Sequence, residues 1–409
     1  MAPSITPITV KGRYFWKDDK RFMVNGVVYQ PHEPDSKNHM KKEDPLSDDK
    51  IHYLRSSIPA LKELKINTLV VFHLDGRLNH DASMNLLAEA GIYVLPGCVP
   101  MQDGVGLERK EPPRLYTLDI LKCYFRSIDN MARYPNTLGL IVSYELIRNT
   151  KMTAMAPHLR AIIRDVKRYM RLASAKRSQR ALPVGLVALD QKELLKPQFD
   201  YFAAEPEREA IDFFAFNNFR WVGRSSIEAS GYLGLVEQFS STPIPVFFSF
   251  YGNKTYPRLF QETFAMFTNK DMLRVFSGGA VYEFFQGSDQ YGLVEAQERP
   301  AHADVHLTRL KEFRCLRESI RRSHVLLPAA MSNHFRASTQ LRERPDPPEQ
   351  SPDWQAQEKM PRSPVNWAEL EVQMADGEWV DVAKELVELA IDDLASSIWE
   401  ELNMDDINP

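Results

Sequence analysis

The chain has 409 residues, 44% of them hydrophobic and 26% charged, with a formal net charge of −4 at pH 7. That length holds one large domain with an appendage or two medium ones. The slight acidic excess excludes a general nucleic-acid binder, which needs a basic surplus or stripe to neutralise phosphates. Cys98, Cys123 and Cys315 are widely spaced, with no CxxC pair and no His at metal spacing, so neither a metal centre nor a cofactor is expected. An odd, scattered cysteine set favours a reduced, cytoplasmic chain. "MAPSITPITVKGRYF" (1–15) lacks the apolar stretch of a leader peptide, and the polar end "NMDDINP" (403–409) lacks an anchor signal. No run approaches 18 apolar residues, so no transmembrane segment is expected.

Taken in chain order, "FMVNGVVY" (22–29) is the first of eight continuous apolar runs. "IPALKELK" (58–65), with helical spacing, precedes "INTLVVFHL" (66–74), and "HDASMNLLAEAG" (80–91) precedes "IYVLPG" (92–97). Lys65 and Gly91 read as the ends of those two helices. "LGLIVSYE" (138–145) is the fourth run, and the helical "LRAIIRDVKRYMRLA" (159–173) leads to "PVGLVA" (183–188). "IDFFAFNN" (211–218), "IPVFFSF" (244–250) and "GGAVYEFF" (278–285) complete the set. Runs that are continuous rather than alternating suit strands covered on both faces. Eight of them with helices between predict an α/β fold, a (β/α)8 TIM barrel, over residues 8–325. A doubly wound open sheet is the alternative, weakened because no GxGxxG follows an early strand.

The basic stretch "RDVKRYMRLASAKRSQR" (164–180) alternates with apolar residues at helical spacing and reads as a solvated helix face. Beyond the barrel, residues 326–365 are rich in proline and charge and predict a disordered linker. Residues 366–409 form an acidic tail in which 379–402 has an amphipathic helical pattern, suited to docking on the barrel or on a protein partner.

The C-terminal ends of barrel strands make the site. They carry Tyr29 and Gln30, His73 and Asp75, Tyr144 and Glu145, Asn217, Asn218, Phe219 and Trp221, Phe250 and Tyr251, and Tyr282 and Glu283. Aromatic faces stack on the C–H faces of sugars while amides and carboxylates bind hydroxyls, so this rim suits a carbohydrate. Glu145 ends an apolar strand, where a charge is costly unless it faces a polar cleft, and is the candidate general acid.

Several stretches, in order, resemble the fungal β-1,3-glucanosyltransferases of glycoside hydrolase family 72. They include "VKGRYFW" (10–16), "YLRSSIPALKELKINTLVVF" (53–72), "LLAEAGIYV" (86–94), "IDFFAFNNFRWVGRSSIEASGY" (211–232), "VFSGGAVYEFF" (275–285) and "YGLV" (291–294). The resemblance implies a barrel enzyme that cuts cell-wall β-1,3-glucan and passes the new end to another glucan, at a cell surface through a lipid anchor. It places Glu145 on the family's acid/base glutamate, with Tyr144 replacing the preceding asparagine. In "SFYG" (249–252), Phe250 stands where the family carries its nucleophilic glutamate. Phe72, Phe219 and Phe284 fall on usual tyrosines, Val70 on an arginine, Arg220 on a glutamate and Val222 on a cysteine. Tyr29, Gln30, Asp75, Asn217, Trp221, Tyr251 and Tyr282 are retained.

A retaining glycosidase needs an acid and a nucleophile about 5–5.5 Å apart. With Phe250 in the second place, the expectation is a non-catalytic homologue that binds a β-1,3-glucan weakly, or a protein. The alternatives are an active transglycosidase with an altered mechanism, in which Glu283 stands in, and a repurposed pocket acting on another small molecule. Glu283 follows the inward Tyr282 and is expected to point away.

Overall fold

The computed structural model describes residues 5–31, 43–98, 116–299, 304–332, 342–357 and 359–376, with the side chains of 328–332 and 376 outside that description. It opens with a small antiparallel sheet, β1 (Thr9–Lys11), β2 (Tyr14–Lys17) and β3 (Lys20–Phe22), absent from the expectations above. The fully buried Phe15 ring lies 5.9 Å from the rings of both Phe213 and Phe247. Those residues stand at the feet of two barrel strands, so this sheet stoppers the N-terminal end of the barrel.

The barrel then alternates as the sequence predicts: β4 (Val24–Val28), α1 (Ile51–Glu63), β5 (Thr68–Val71), α2 (Asp81–Glu89), β6 (Tyr93–Pro96), α3 (Leu118–Met131), β7 (Leu140–Tyr144) and α4 (Ala156–Arg177). It continues with β8 (Val184–Ala188), α5 (Lys192–Ala203), β9 (Phe213–Asn218), α6 (Tyr232–Gln238), β10 (Val246–Tyr251), α7 (Gln261–Thr268), α8 (Lys270–Val275) and β11 (Phe276–Val281). The eight strands from β4 to β11 form one sheet in the order β6-β5-β4-β11-β10-β9-β8-β7. Parallel bridges Val94↔Thr137 and Gly97↔Ile141 join its two edges and close it, which disposes of the open-sheet alternative. The last strand begins and ends earlier than its apolar run suggests. At Gly278 (φ +94°) a Cβ would stand 2.1 Å from the Val24 carbonyl oxygen, so β11 can pass β4 there only as glycine.

Two apolar layers follow from the alternation of side chains across each strand. Val24, Val28, Val70, Leu95, Ile141, Val187, Phe213, Phe247 and Phe250 fill the barrel interior. Val27, Tyr29, Val71, Val142, Phe214, Phe248 and Tyr251 join the layer beneath the helices. Strict alternation would bring Phe247, Ser249 and Tyr251 inward, but the β10 register shifts between Phe248 and Phe250 against β9. This bulge turns Phe250 inward and Tyr251 outward. A similar shift between Ile141 and Tyr144 in β7 turns both of those residues inward.

After a hairpin, β12 (Val294–Arg299) and β13 (Asp304–Arg309), helix α9 (Lys311–Ser332) runs past the expected end of the barrel at 325. Residues 342–357 and 359–366 have no helix or strand, as their prolines predict, but they are not a free linker. Trp354 is 1% exposed against Tyr201, with ring centroids 5.4 Å apart. Arg344 donates to the carbonyls of Ala203 and Ile211, Arg164 to that of Pro361, and Tyr201 to that of Gln357. Buried aromatic area and satisfied carbonyls hold this segment where composition alone predicts disorder. Helix α10 (Trp367–Asp376) then packs on α4. The expected helix at 379–402 lies outside the described residues. Trp354→Ala is expected to cost about 3 kcal/mol and to open 342–366 to limited proteolysis. Unchanged protease resistance in that variant would show that the strap is held by other contacts.

Candidate active site

At the C-terminal end of the barrel the inward residues converge on a floor of rings. The Phe250 ring lies 5.2 Å from Phe72, 6.0 Å from a nearly parallel Tyr144 and 5.8 Å from Tyr282. Tyr282 meets Phe219 at 6.3 Å and Tyr291 at 5.2 Å, which widens the aromatic wall. Phe250 is only 6% exposed, so it closes the floor rather than lining an open channel. Burial pushes the Tyr144 and Tyr282 phenols above their ordinary range; at Tyr282 the charges of Glu283, Asp289 and Glu145 add to the effect. Both therefore remain neutral at ordinary pH, and Tyr144 spends its hydroxyl on the Val71 carbonyl at 3.0 Å.

Glu145 follows β7 with φ +47° and is half-buried. Asn217 donates from Nδ2 to Glu145 Oε1 at 2.6 Å, while the Asp190 amide donates to Asn217 Oδ1 at 2.9 Å. The Asn217 amide is thus oriented from both sides. Asp190 is in turn fixed by Asn218 Nδ2 at 2.9 Å and by Arg220, whose Nε and guanidinium NH2 donate at 2.6 and 2.5 Å. Burial raises the Asp190 carboxyl above its ordinary range against the opposing pull of Arg220. A relay of Arg220, Asp190 and Asn217 therefore positions the one carboxylate that the expected acid/base position supplies. Composition did not reveal this relay, because it joins β8 and β9 loops 30 residues apart. Asp190 nevertheless carried the same signal as Glu145, a carboxylate just past an apolar strand.

Other expected rim residues lie elsewhere. Tyr29 is fully buried in the outer layer, with its hydroxyl 3.2 Å from Ser57 Oγ, because Val24 and Val28 take the inward positions of β4. Tyr251 is fully buried as well, its hydroxyl 3.0 Å from Thr263 Oγ1, because of the β10 bulge. Trp221 is 5% exposed and packs on Tyr232 at 5.4 Å in the outer layer, lining a flank groove instead of the mouth. These three placements correct the expectation that they line the groove. Gln30 is buried at the end of β4 and donates to the Glu43 carbonyl at 3.1 Å. Asp75 is clamped by Arg77, which donates to both its oxygens. Burial would raise the Asp75 carboxyl, but the Arg77 bonds and the nearby His73 hold it below its ordinary range. Glu283 is 1% exposed.

Among the described residues, no group of three or more His, Cys, Asp or Glu side chains could hold a metal ion, and no helix is long and apolar enough to cross a membrane. Cys98, Cys123 and Cys315 are free thiols.

A closed parallel barrel whose mouth joins aromatic faces to a carboxylate held by an amide is a class of site suited to carbohydrates. The profile of glycoside hydrolase family 72, glucanosyltransferase, matches residues 1–322, and the chain belongs to that family. It is 38% identical over 301 residues to the 1,3-beta-glucanosyltransferase gel1 of Aspergillus fumigatus, covering 72% of this chain and 63% of that protein. It is 33% identical over 294 residues to the 1,3-beta-glucanosyltransferase gas1 of Schizosaccharomyces pombe, covering 71% of this chain and 52% of that one. The chain thus spans less than two thirds of the length of these relatives. Saccharomyces cerevisiae Gas2p, solved in complex with laminaripentaose, superposes with a TM-score of 0.73 at 27% identity, over 89% of this chain and 78% of that one.

Proposed function

We propose that this chain is a non-catalytic member of its family that binds β-1,3-glucan oligosaccharides at the aromatic mouth. The observation that carries the reading is Phe250, buried among Phe72, Tyr144 and Tyr282 at the strand position where the family resemblance expects a nucleophilic carboxylate. A phenyl ring cannot attack an anomeric carbon, so no glycosyl-enzyme forms and no transfer follows. Glu145 acting alone as an acid contributes roughly 10²–10⁴-fold, far below what cleavage of a stable glycosidic bond requires. Asp75 and Asp190 are each tied to an arginine, which leaves neither free to act as a nucleophile. The ligand is read from the mouth chemistry and from Gas2p, which binds laminaripentaose.

Tyr282 and Phe219 offer stacking faces, and Glu145 accepts hydroxyl hydrogen bonds, so the affinity is weak, with Kd of roughly 0.1–10 mM. Incubation with laminaripentaose is expected to give no longer or shorter chains, while calorimetric titration shows saturable binding that Tyr282→Ala weakens at least tenfold. Transfer products that survive Phe250→Ala and vanish with Glu283→Gln would overturn the non-catalytic reading in favour of a replacement nucleophile. No binding by the full chain would overturn the glucan reading and leave a protein-binding role. Trp221 is a poor fluorescence reporter for this test, because it sits away from the mouth.

A further inference from the structure

The basic run that reads from sequence as a solvated face becomes, on α4, a stripe with a shape. Arg164, Arg168 and Arg171 recur at intervals of four and three residues, followed four residues later by Ala175, and so lie along one side of the helix. They border a cavity of about 560 Å3 with Leu172 and, from across the gap, Arg208. Much of the charge on α4 is already matched: Lys167 pairs with Asp212, Arg177 with Asp129, and Arg164 with Asp165. Arg168 instead lies over the Trp367 ring at 4.4 Å, and Arg208 pairs with its neighbour Glu209 at 3.5 Å. Burial, with the like charges of Arg168 and Arg208, holds the Arg171 guanidinium below its ordinary range. Among the described residues, the carboxylates at the cavity are Glu209 and Glu371, and Glu371 is taken by Lys176 at 2.9 Å.

Helix α10 runs beside α4 in the same direction, since Trp367 meets Arg168 and Glu371 meets Lys176. The described chain ends at Asp376, five residues beyond Glu371 of this cavity, and the residue that follows is Gly377, a residue type suited to reversing a chain after a helix. Residues 377–409 hold ten carboxylates and one lysine. Within them Asp381, Glu385, Glu388 and Asp392 repeat the spacing of the α4 stripe, with Leu389 at its edge. We propose that residues 379–402 fold back as a helix antiparallel to α10 and dock on the arginine stripe of α4. The acidic stripe then faces Arg168, Arg171 and Arg208, with Leu389 on the side of Leu172. Tethering next to the site makes the association intramolecular, so modest contacts suffice. This inference is independent of the glucan reading.

Hydrogen exchange read by mass spectrometry on the full chain tests it. Amides of 381–398 are expected to exchange at least tenfold more slowly in the wild type than in an Arg168→Glu/Arg171→Glu/Arg208→Glu variant, with the barrel strands unchanged. Adding Asp381→Arg, Glu385→Arg and Glu388→Arg to that variant is expected to restore the protection by reversing both stripes. Fast exchange of the tail in the wild type overturns the proposal. So does protection that the triple variant keeps, which would place the tail elsewhere, such as the flank groove beside Trp221 or the barrel mouth. Protection that grows with protein concentration would assign the stripe to a second copy and overturn docking within one chain.

Discussion

Phe250→Ala is expected to destabilise the barrel by about 3–5 kcal/mol, read as a lower midpoint of chemical denaturation. The ring is 6% exposed and bounded by Phe72, Tyr144 and Tyr282, so its removal leaves a void that three rings cannot refill without leaving their own contacts. Phe250→Glu is expected to be at least as costly and to leave the protein inactive. The new carboxylate would enter an apolar floor with no cation among its ring neighbours, and burial would hold it protonated. It would also lack the asparagine that the family resemblance expects at position 144, where a tyrosine now stands. Stability unchanged to within about 0.5 kcal/mol for Phe250→Ala would mean that position 250 faces solvent, and would remove the main support for a closed, non-catalytic floor.

The second large effect is on pH dependence. Glu262, 3% exposed in the first turn of α7, has its carboxyl pushed up by burial to about 7, with Arg258 pulling the other way. Below the ordinary value of 4.5 both folded and unfolded chains hold the proton, and the contribution to stability is complete. As pH rises from there, the unfolded chain ionises first, and stability is lost until the folded group also ionises near 7. The loss amounts to about 3 kcal/mol. Glu262→Gln is expected to match the wild type at pH 4 and to exceed it at pH 8 by up to about that amount. Asp75, held below its ordinary range, gives the opposite slope at low pH, so the difference between variant and wild type is the quantity to measure. Parallel stability curves from pH 5 to 8 would show that Glu262 is ionised throughout.

Local sequence was sufficient for much of this fold. Eight continuous apolar runs became eight parallel strands, and the helix ends at Lys65 and Gly91 took the left-handed conformation their positions imply. The position of Phe250 at the end of a buried strand was legible too, because a hydrophobic run and the turn at Gly252 are local features. The rim was legible only in part. Tyr29 follows an inward Val28, so period-two alternation alone was enough to send it outward. Tyr251 could not be assigned that way, because a one-residue bulge between Phe248 and Phe250 inverts the faces beyond it.

By itself, then, the sequence determined the alternation of buried strands and helices, the absence of a carboxylate at position 250 and the candidate acid at 145, since each depends on residue type and local spacing. Tertiary structure alone decided which aromatics face the mouth, how Arg220 acts through Asp190 and Asn217 on Glu145, and that Trp354 fastens a proline-rich segment to the barrel. Those outcomes depend on strand register and on contacts between residues far apart in the chain, where burial and long-range hydrogen bonds outweigh local propensity.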